Sequence, residues 1–427
     1  MDTAVILCAG LAKRMQGYTQ YLPKPLIRVA GREILYRTIK LLDSKGISKF
    51  VLVVNEHNRE PIENFVRRLG ISYEIVLNEH PEKENGYSLY LARNHVNGRF
   101  VLTMGDHLYS EEFIEEALKG EGLIVDELAL YTDRKEATKV LCKEGKIEKI
   151  GKDLKNFNGY DTGFFILDES VFETAERLVK EREKVTLSEI VKEAHIKCTP
   201  VSGKFWTDVD TPEDIERAKK ALVRASVKGT GDGFISRHLN RKVSLWFSER
   251  LVDKLTPNRA TWLTFFIGVF SALVALLSPA LGGLLYQLSS MLDGIDGEIA
   301  RASMRTTRFG GYLDSVLDRY TDFLFLSSLA LWLKPSQEFL PWVLLAIFGS
   351  LMVSYSTERF RGAYCEDAYG VVKELRWLPG KRDERIFFIM LFCLFGWIKA
   401  LFILLALVTN VRVILTLWLV WKHRGSV

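Results

Sequence analysis

The chain changes its hydrophobic rhythm near residue 225. Before that point, short runs of Val, Ile, Leu and Phe alternate with stretches whose apolar residues recur every third or fourth position. Residues 4–7, 50–54, 73–77, 99–104, 128–131 and 163–167 predict buried strands. Residues 34–44, 60–69, 88–94, 111–118 and 212–225 predict the helices between them. This alternation predicts an α/β, doubly wound sheet. Residues 226–233, SVKGTGDG, form a glycine-rich linker. Across 234–255, Arg237, Arg241, Lys242, Arg250 and Lys254 interleave with Leu239, Leu245, Trp246, Phe247 and Leu251. That pattern predicts a juxtamembrane amphipathic helix on an anionic membrane surface. No charge occurs from 260 to 292, a run longer than the ~20 residues of one span. Ser278-Pro279 divides it into two. Further apolar segments at 310–332, 339–357, about 384–397 and about 400–421 bring the expected transmembrane helices to six. The domains are therefore 1–225, the linker 226–233, and an all-α membrane domain 234–427.

Composition refines this division. Of 427 residues, 58 are Lys or Arg and 53 are Asp or Glu, a formal net charge of +5. That balance is too even for a nucleic-acid coat, so no nucleic-acid partner is expected. At 48% hydrophobic and 26% charged, the chain is not disordered as a whole. Basic residues cluster before the first span, in 301–308, in 359–385 and in 422–424, and few lie in the opposite turns. The positive-inside rule then places both ends and the soluble domain in the cytoplasm of a multi-pass cell-membrane protein. The opening MDTAVILCAG has no basic leader. The five cysteines, Cys8, Cys142, Cys198, Cys365 and Cys393, have no close spacing. They predict neither a disulfide framework nor a zinc site, and fit a reducing compartment.

Candidate chemistry concentrates in two places. In the membrane half, Asp293 and Asp296 are three residues apart, and Asp314 and Asp318 four apart, so each pair shares a helix face. A short connection makes the two helices antiparallel neighbours, and their four carboxylates match two divalent cations, Mg²⁺ or Mn²⁺. Gly297, Ala300 and Gly310 remove bulk so that a pyrophosphate can approach, and Arg301 offers a fork to phosphate. The segment resembles the CDP-alcohol phosphatidyltransferase signature, D-x2-D-G-x2-A-R-x8-G-x3-D-x3-D, at every fixed position. Thr256-Pro257-Asn258 resembles that family's opening motif. The resemblance implies displacement of CMP from a CDP-alcohol by a second hydroxyl. Asp293, Asp296 and Asp314 would hold the metals, Asp318 would share one and act as general base, and Gly297, Ala300, Arg301 and Gly310 would surround the CDP. Lys381 and Arg382 open the fifth span as a candidate acceptor-phosphate site, with a topology signal as the alternative. Arg412, inside the sixth span, should face the interior.

In the soluble half, a small-residue turn follows the first strand: Ala9, Gly10, Leu11, Ala12, Lys13 and Arg14, then Pro23-Lys24-Pro25-Leu26. Such a turn presents backbone N–H groups to phosphates, and Arg14 and Lys24 add cations. The pattern resembles the sugar-phosphate nucleotidyltransferase signature A-G-x-G-x-R…P-K-P-L, with Ala12 in place of its second glycine. The resemblance implies a Rossmann-like nucleotidyltransferase domain holding one Mg²⁺ between Asp106 and Asp208, with Asp210 as the alternative. It places Asn85, Gly86 and Ser88 at the base and ribose, and Lys152, Asp161 and Thr162 at the sugar phosphate.

The fusion resembles the bifunctional inositol-1-phosphate cytidylyltransferase/di-myo-inositol-phosphate-phosphate synthase family, including the Asn240-Arg241-Lys242 and Arg382-Asp383 regions. It implies CTP, a CDP-alcohol and polar alcohol phosphates as substrates, and a homodimer in the bilayer. Two other readings use the same residues. One is a phospholipid-forming phosphotransferase whose soluble module is degenerate. The other is a cation transporter whose aspartates line an ion path.

Overall fold

The structure is a computed structural model that describes residues 1–11, 15, 22–227 and 233–423. It divides into two compact units, Met1–Ala221 and Leu222–Val427.

In the first unit the strands are β1 (Thr3–Leu7), β2 (Arg28–Val29), β3 (Arg32–Glu33), β4 (Lys49–Val54), β5 (Ser72–Leu77), β6 (Phe100–Met104) and β7 (His107–Tyr109). Then come β8 (Gly122–Asp126), β9 (Lys139–Lys143), β10 (Lys146–Gly151), β11 (Gly159–Leu167), β12 (Cys198–Pro200) and β13 (Trp206–Asp208). The helices are α1 (Ile34–Ser44), α2 (Glu56–Arg67), α3 (Glu84–Leu91), α4 (Glu111–Ala117), α5 (Val171–Glu181), α6 (Leu187–Glu193) and α7 (Pro212–Ala225). The main sheet runs β10-β9-β11-β6-β1-β4-β5, with β8 on β11 and β12 on β8. β1 pairs in parallel with β4 and β6, as β4 does with β5. Ala4 and Ile6 enter one apolar layer and Val5 and Leu7 the other, because alternate side chains leave opposite faces of a strand.

The sheet is mixed, not wholly parallel. β11 runs antiparallel to β6, β8 and β9. Residues 128–131, expected as a strand, form a bend. The Asp126 carboxylate accepts the Leu128 and Ala129 N–H groups at 3.0 Å each, and Ala129 has φ of 43°. The strand there is β8, just upstream. The cysteine expectation is also corrected: Cys142 and Cys198 form a disulfide. They lie 56 residues apart in sequence, but Cys198 N–H donates to Gly145 O at 2.8 Å, laying β12 beside the β9–β10 turn. Cys8, Cys365 and Cys393 remain free thiols.

The second unit is helical. A π-turn (Ser236–Asn240) leads into α8 (Arg241–Leu251). The rest comprises α9 (Pro257–Ala275), α10 (Pro279–Leu292), α11 (Gly294–Ala302), α12 (Arg308–Leu333), α13 (Leu340–Tyr364), α14 (Ala368–Val371), α15 (Arg382–Leu394) and α16 (Ile398–Lys422). Ser278 caps α10 and Pro279 opens it, so the uncharged run breaks where the sequence predicts. Among the described residues, three helices are long and apolar enough to cross a membrane: α9, α13 and α16. The 14-residue α10 and 13-residue α15 are shorter, and the 26-residue α12 carries the aspartates. Helices approach closely at small residues: a Cβ on Gly268 would meet Thr321, and one on Gly349 would meet Thr409. Phe266, Phe270, Phe348, Ile414 and Leu417 face outward and exposed. An apolar exterior over a small-residue interior is the inverse of a water-soluble bundle.

Candidate active sites

The membrane-half site begins at the α10–α11 junction. Asp293 ends α10 and Asp296 sits in the first turn of α11. After the connection at 303–307, α12 presents Asp314 and Asp318 one turn apart. Among the described residues, Asp293, Asp314 and Asp318 bring one carboxylate oxygen each within 4.8 Å of one another. Hard oxygen donors gathered at that spacing, partly open to solvent, fit a divalent cation such as Mg²⁺ or Mn²⁺. Asp296 is placed differently. It accepts from Thr261 Oγ1 at 2.6 Å and from the Gly297 N–H at 2.5 Å.

The other signature positions lie beyond Asp296. A Cβ on Gly297 would stand 3.0 Å from Arg301 Nη1, so the guanidinium lies over that glycine. Arg301 Nε donates to Ser226 O at 2.5 Å. A Cβ on Gly310 would stand 3.5 Å from Asn258 Oδ1, which brings the Thr-Pro-Asn motif to the start of α12. Ala300 follows on α11.

Asp293 and Asp318 also line a cavity of about 250 Å³ whose lining does not include Asp296, Gly297, Ala300, Arg301 or Gly310. Its lining carries five cationic side chains, Arg241, Arg319, Lys381, Arg382 and Arg385, against three carboxylates, Asp293, Asp318 and Asp383. Arg382 is the hub of this wall. Its Nη1 meets Asp293 at 2.9 Å, its Nη2 meets Asp318 at 3.0 Å and its Nε meets Asp322 at 3.1 Å. Lys381 is buried, its ammonium 5.1 Å from the Tyr369 ring centroid. Arg412 faces the interior and donates to Pro379 O at 2.5 Å and to Leu378 O.

Sequence reasoning did not single out two buried acids. Asp322 accepts from Tyr286 Oη at 2.6 Å and lies 3.6 Å from Arg385. The four-residue ladder Asp314, Asp318, Asp322 was its available signal. Glu298 is fully buried and is bonded by Arg241, Ser244 and Ser248 of α8. Its signal was only its place inside the signature.

In the first unit, two adjoining cavities of about 590 and 200 Å³ share Asn85, Met104, Asp106, His107, Lys152 and Asp210. The larger is also lined by Ala9, Gly10, Lys24 and Ser88, and the smaller by Asp161 and Asp208. Lys24 Nζ sits 2.6 Å from Asp106 and 2.5 Å from Asp210. Asp208 accepts from Thr132 Oγ1 at 2.9 Å, and Asp106, Asp208 and Asp210 all line the smaller cavity. Burial pushes the Asp106 carboxyl up, but the Lys24 ammonium and His107 outweigh it and hold it well below the ordinary carboxylate range. Burial likewise lowers Lys24, yet Asp106 and Asp210 hold it above its ordinary value. Gly86 has no room for a side chain, since a Cβ would meet Val185 O at 2.6 Å. Thr162 does not reach either cavity; its hydroxyl donates to Ile124 O at 2.7 Å within the sheet. Ala12, Lys13 and Arg14 of the phosphate loop lie outside the described residues, as do most of the linker, 228–232, and Arg424.

Comparison with known proteins assigns a family to each half of the chain. Residues 4–144 match the MobA-like NTP transferase domain, and residues 254–418 match the CDP-alcohol phosphatidyltransferase family. A bifunctional IPC transferase and DIPP synthase of Aquifex aeolicus is 61% identical over 427 residues, covering 100% of this chain and 100% of that protein. The chain belongs to the bifunctional IPC transferase and DIPP synthase family. A second member, from Thermococcus kodakarensis, is 55% identical over 427 residues, 99% of this chain and 98% of its own. The solved inositol-1-phosphate CTP transferase from T. maritima is 30% identical, covers 51% of this chain and 95% of its own, and superposes with a TM-score of 0.48. As a member of this bifunctional family, the chain is an enzyme with a nucleotidyltransferase in its first unit and a CDP-alcohol phosphotransferase in its second.

Proposed function

We propose that the first unit joins CTP to inositol 1-phosphate and that the second uses the resulting CDP-inositol. In the first reaction a phosphate oxygen of inositol 1-phosphate attacks the α-phosphorus of CTP and pyrophosphate leaves. The cavity of about 590 Å³ takes the nucleotide, the smaller one takes the inositol phosphate, and Lys24 meets the phosphates where the two join. Asp106 and Asp208, with Asp210 as the alternative partner, are the acids that would hold one Mg²⁺ there.

In the second reaction the hydroxyl of another inositol 1-phosphate attacks the inositol-bearing phosphorus of CDP-inositol. The phosphorus–oxygen bond to CMP breaks, and the hydroxyl proton passes to Asp318. The observation that carries this reading is the convergence of Asp293, Asp314 and Asp318 beside a cationic cavity. When bound, two divalent cations neutralise the pyrophosphate and the departing CMP. Asp296 would join Asp293, Asp314 and Asp318 in holding them. Gly297, Ala300, Arg301 and Gly310 lie off the cavity and suit the CDP group, which leaves the cavity to the acceptor. Its excess of cations matches an acceptor that is itself phosphorylated, with Lys381 and Arg382 as phosphate ligands.

The proposed topology has six membrane helices, α10, α12 and α15 joining the three long apolar ones, in a homodimer whose soluble domain and C-terminus face the cytoplasm. Basic clusters at the aspartate-bearing ends support that orientation. The test follows pyrophosphate and CMP separately from CTP, inositol 1-phosphate and Mg²⁺. Asp318→Asn should stop CMP release by at least about a hundredfold and leave pyrophosphate release running. CMP release that persists in this variant, or needs no divalent cation, rejects the reading.

A further inference from the structure

The buried face of α8 is polar. Ser244 and Ser248 are buried on it, while Trp246 on the other side is 51% exposed with the Arg250 guanidinium 3.7 Å over its ring. What the buried face meets is Glu298, one residue past Gly297 in the metal-binding signature. Arg241 Nη1 donates to Glu298 Oε1 at 2.9 Å, and the Ser244 and Ser248 hydroxyls donate to its two oxygens at 2.7 Å each. A fully buried carboxylate requires such a shell, because an uncompensated charge is costly away from water. Two hydroxyls and one cation also fix where that cation lies. Arg241 is held against Gly294, where a Cβ would stand 2.6 Å from Nη1. Gly294 follows Asp293, and Arg241 lines the same cavity as Asp293 and Asp318. The sequence pattern assigned this arginine to the lipid surface; the structure turns it inward, to the cavity that Arg382 also lines.

We propose that Glu298 is a positioning residue that holds Arg241 as a ligand for the phosphate of the acceptor, making α8 part of the acceptor's selectivity. This rests on the reading of the cavity as the acceptor site. Arg382 already spans Asp293, Asp318 and Asp322. An incoming phosphate dianion therefore gains from a second guanidinium held from another helix, and a bidentate fork suits it better than a point charge. The bland alternative is that Arg241 and Glu298 only fasten α8 to α11.

The experiment uses the full chain in detergent with Mg²⁺, CDP-inositol as donor and inositol 1-phosphate as acceptor. The readout is the ratio of acceptor KM to donor KM. A loosened helix pair moves both constants together; loss of a phosphate ligand moves the ratio. Arg241→Ala should raise the ratio at least about tenfold, and Arg241→Lys should raise it less. Glu298→Gln, which keeps hydrogen-bonding atoms for the serines but loses the charge, should raise it in the same direction. The double variant should be no worse than Arg241→Ala alone, since both act through one cation. An unchanged ratio in Arg241→Ala, or costs that add in the double variant, overturns the inference while leaving the reaction intact. An unaltered chain that releases no CMP from this donor and acceptor removes the underlying reading and the inference with it.

Discussion

At the scale of single residues, both sites rest on charges held in place by opposite charges. Lys24 shows the consequence most directly. Its ammonium lies between Asp106 and Asp210, with its side chain 12% exposed. Lys24→Met removes the cation and leaves two carboxylates facing the triphosphate. Pyrophosphate release should fall by about 10²–10³-fold, the usual cost of losing one charged donor in a preorganised site. The same variant has a pH signature in stability. Asp106 is held below its ordinary range, so its contribution is present above the unfolded carboxylate pKa and is lost as pH falls through its own lowered value. Lys24 is held above its ordinary value, so its contribution is present below the unfolded lysine pKa and is lost only as pH rises past its raised one. Between about pH 5 and 10 the Lys24–Asp106 pair keeps its charges, while His107, which burial lowers but Asp106 holds above its ordinary value, loses its share as pH rises through its raised pKa. The variant lacks the pair's contribution and has less to lose in acid. Its deficit in Tm should narrow as pH drops below about 4, and a deficit that widens there contradicts the assignment of charge.

Among elements, the Cys142–Cys198 disulfide ties β9 to β12, two strands that do not pair with each other. Closing a loop of 56 residues restricts the unfolded chain, an effect worth about 4 kcal/mol in the chain-entropy account. Replacing both cysteines by serine should lower Tm, and adding reductant to the unaltered chain should lower it comparably. A serine variant that melts with the unaltered chain shows that the link adds nothing. This bond was not legible in the sequence because nothing local announces it; it depends on β8, β10 and β11 stacking the two strands side by side. The parallel strands were legible because burial on both faces writes a continuous apolar run, as in Lys49–Val54 (KFVLVV). β9 (KVLCK) and β10 (KIEKIG) keep one face in water and carry charge, so they do not stand out from a surface loop. In the membrane half, the aspartate pairs were legible because helical spacing alone puts them on one face. Glu298 was not. Its meaning lies in Arg241, Ser244 and Ser248, 50 to 57 residues upstream, and only the packing of α8 on α11 brings them together.

For the molecule as a whole, the residues named for the two reactions fall in separate units. Every side chain named for the first reaction lies between Ala9 and Asp210, and every one named for the second lies between Arg241 and Arg412. No residue named for one reaction is named for the other. On the proposed reading, the CDP-inositol that links them has a polar head, is water-soluble and needs no lipid phase to travel in. Chains defective in opposite halves should therefore complement one another. Lys24→Met alone should make diester from CTP and inositol 1-phosphate only at its reduced rate, but should do so freely when CDP-inositol is supplied. Asp318→Asn alone should accumulate CDP-inositol. Mixed in detergent at equal concentration, the two should form diester after a lag, while CDP-inositol builds up to the KM of the second site. With CTP labelled in its cytidine, adding unlabelled CDP-inositol should lower the specific activity of the released CMP in proportion to its concentration, since the diester itself keeps no atom of CTP. Failure of the mixture to make product, while supplied CDP-inositol is still consumed, would mean that the intermediate passes between the two sites of one chain without entering solution.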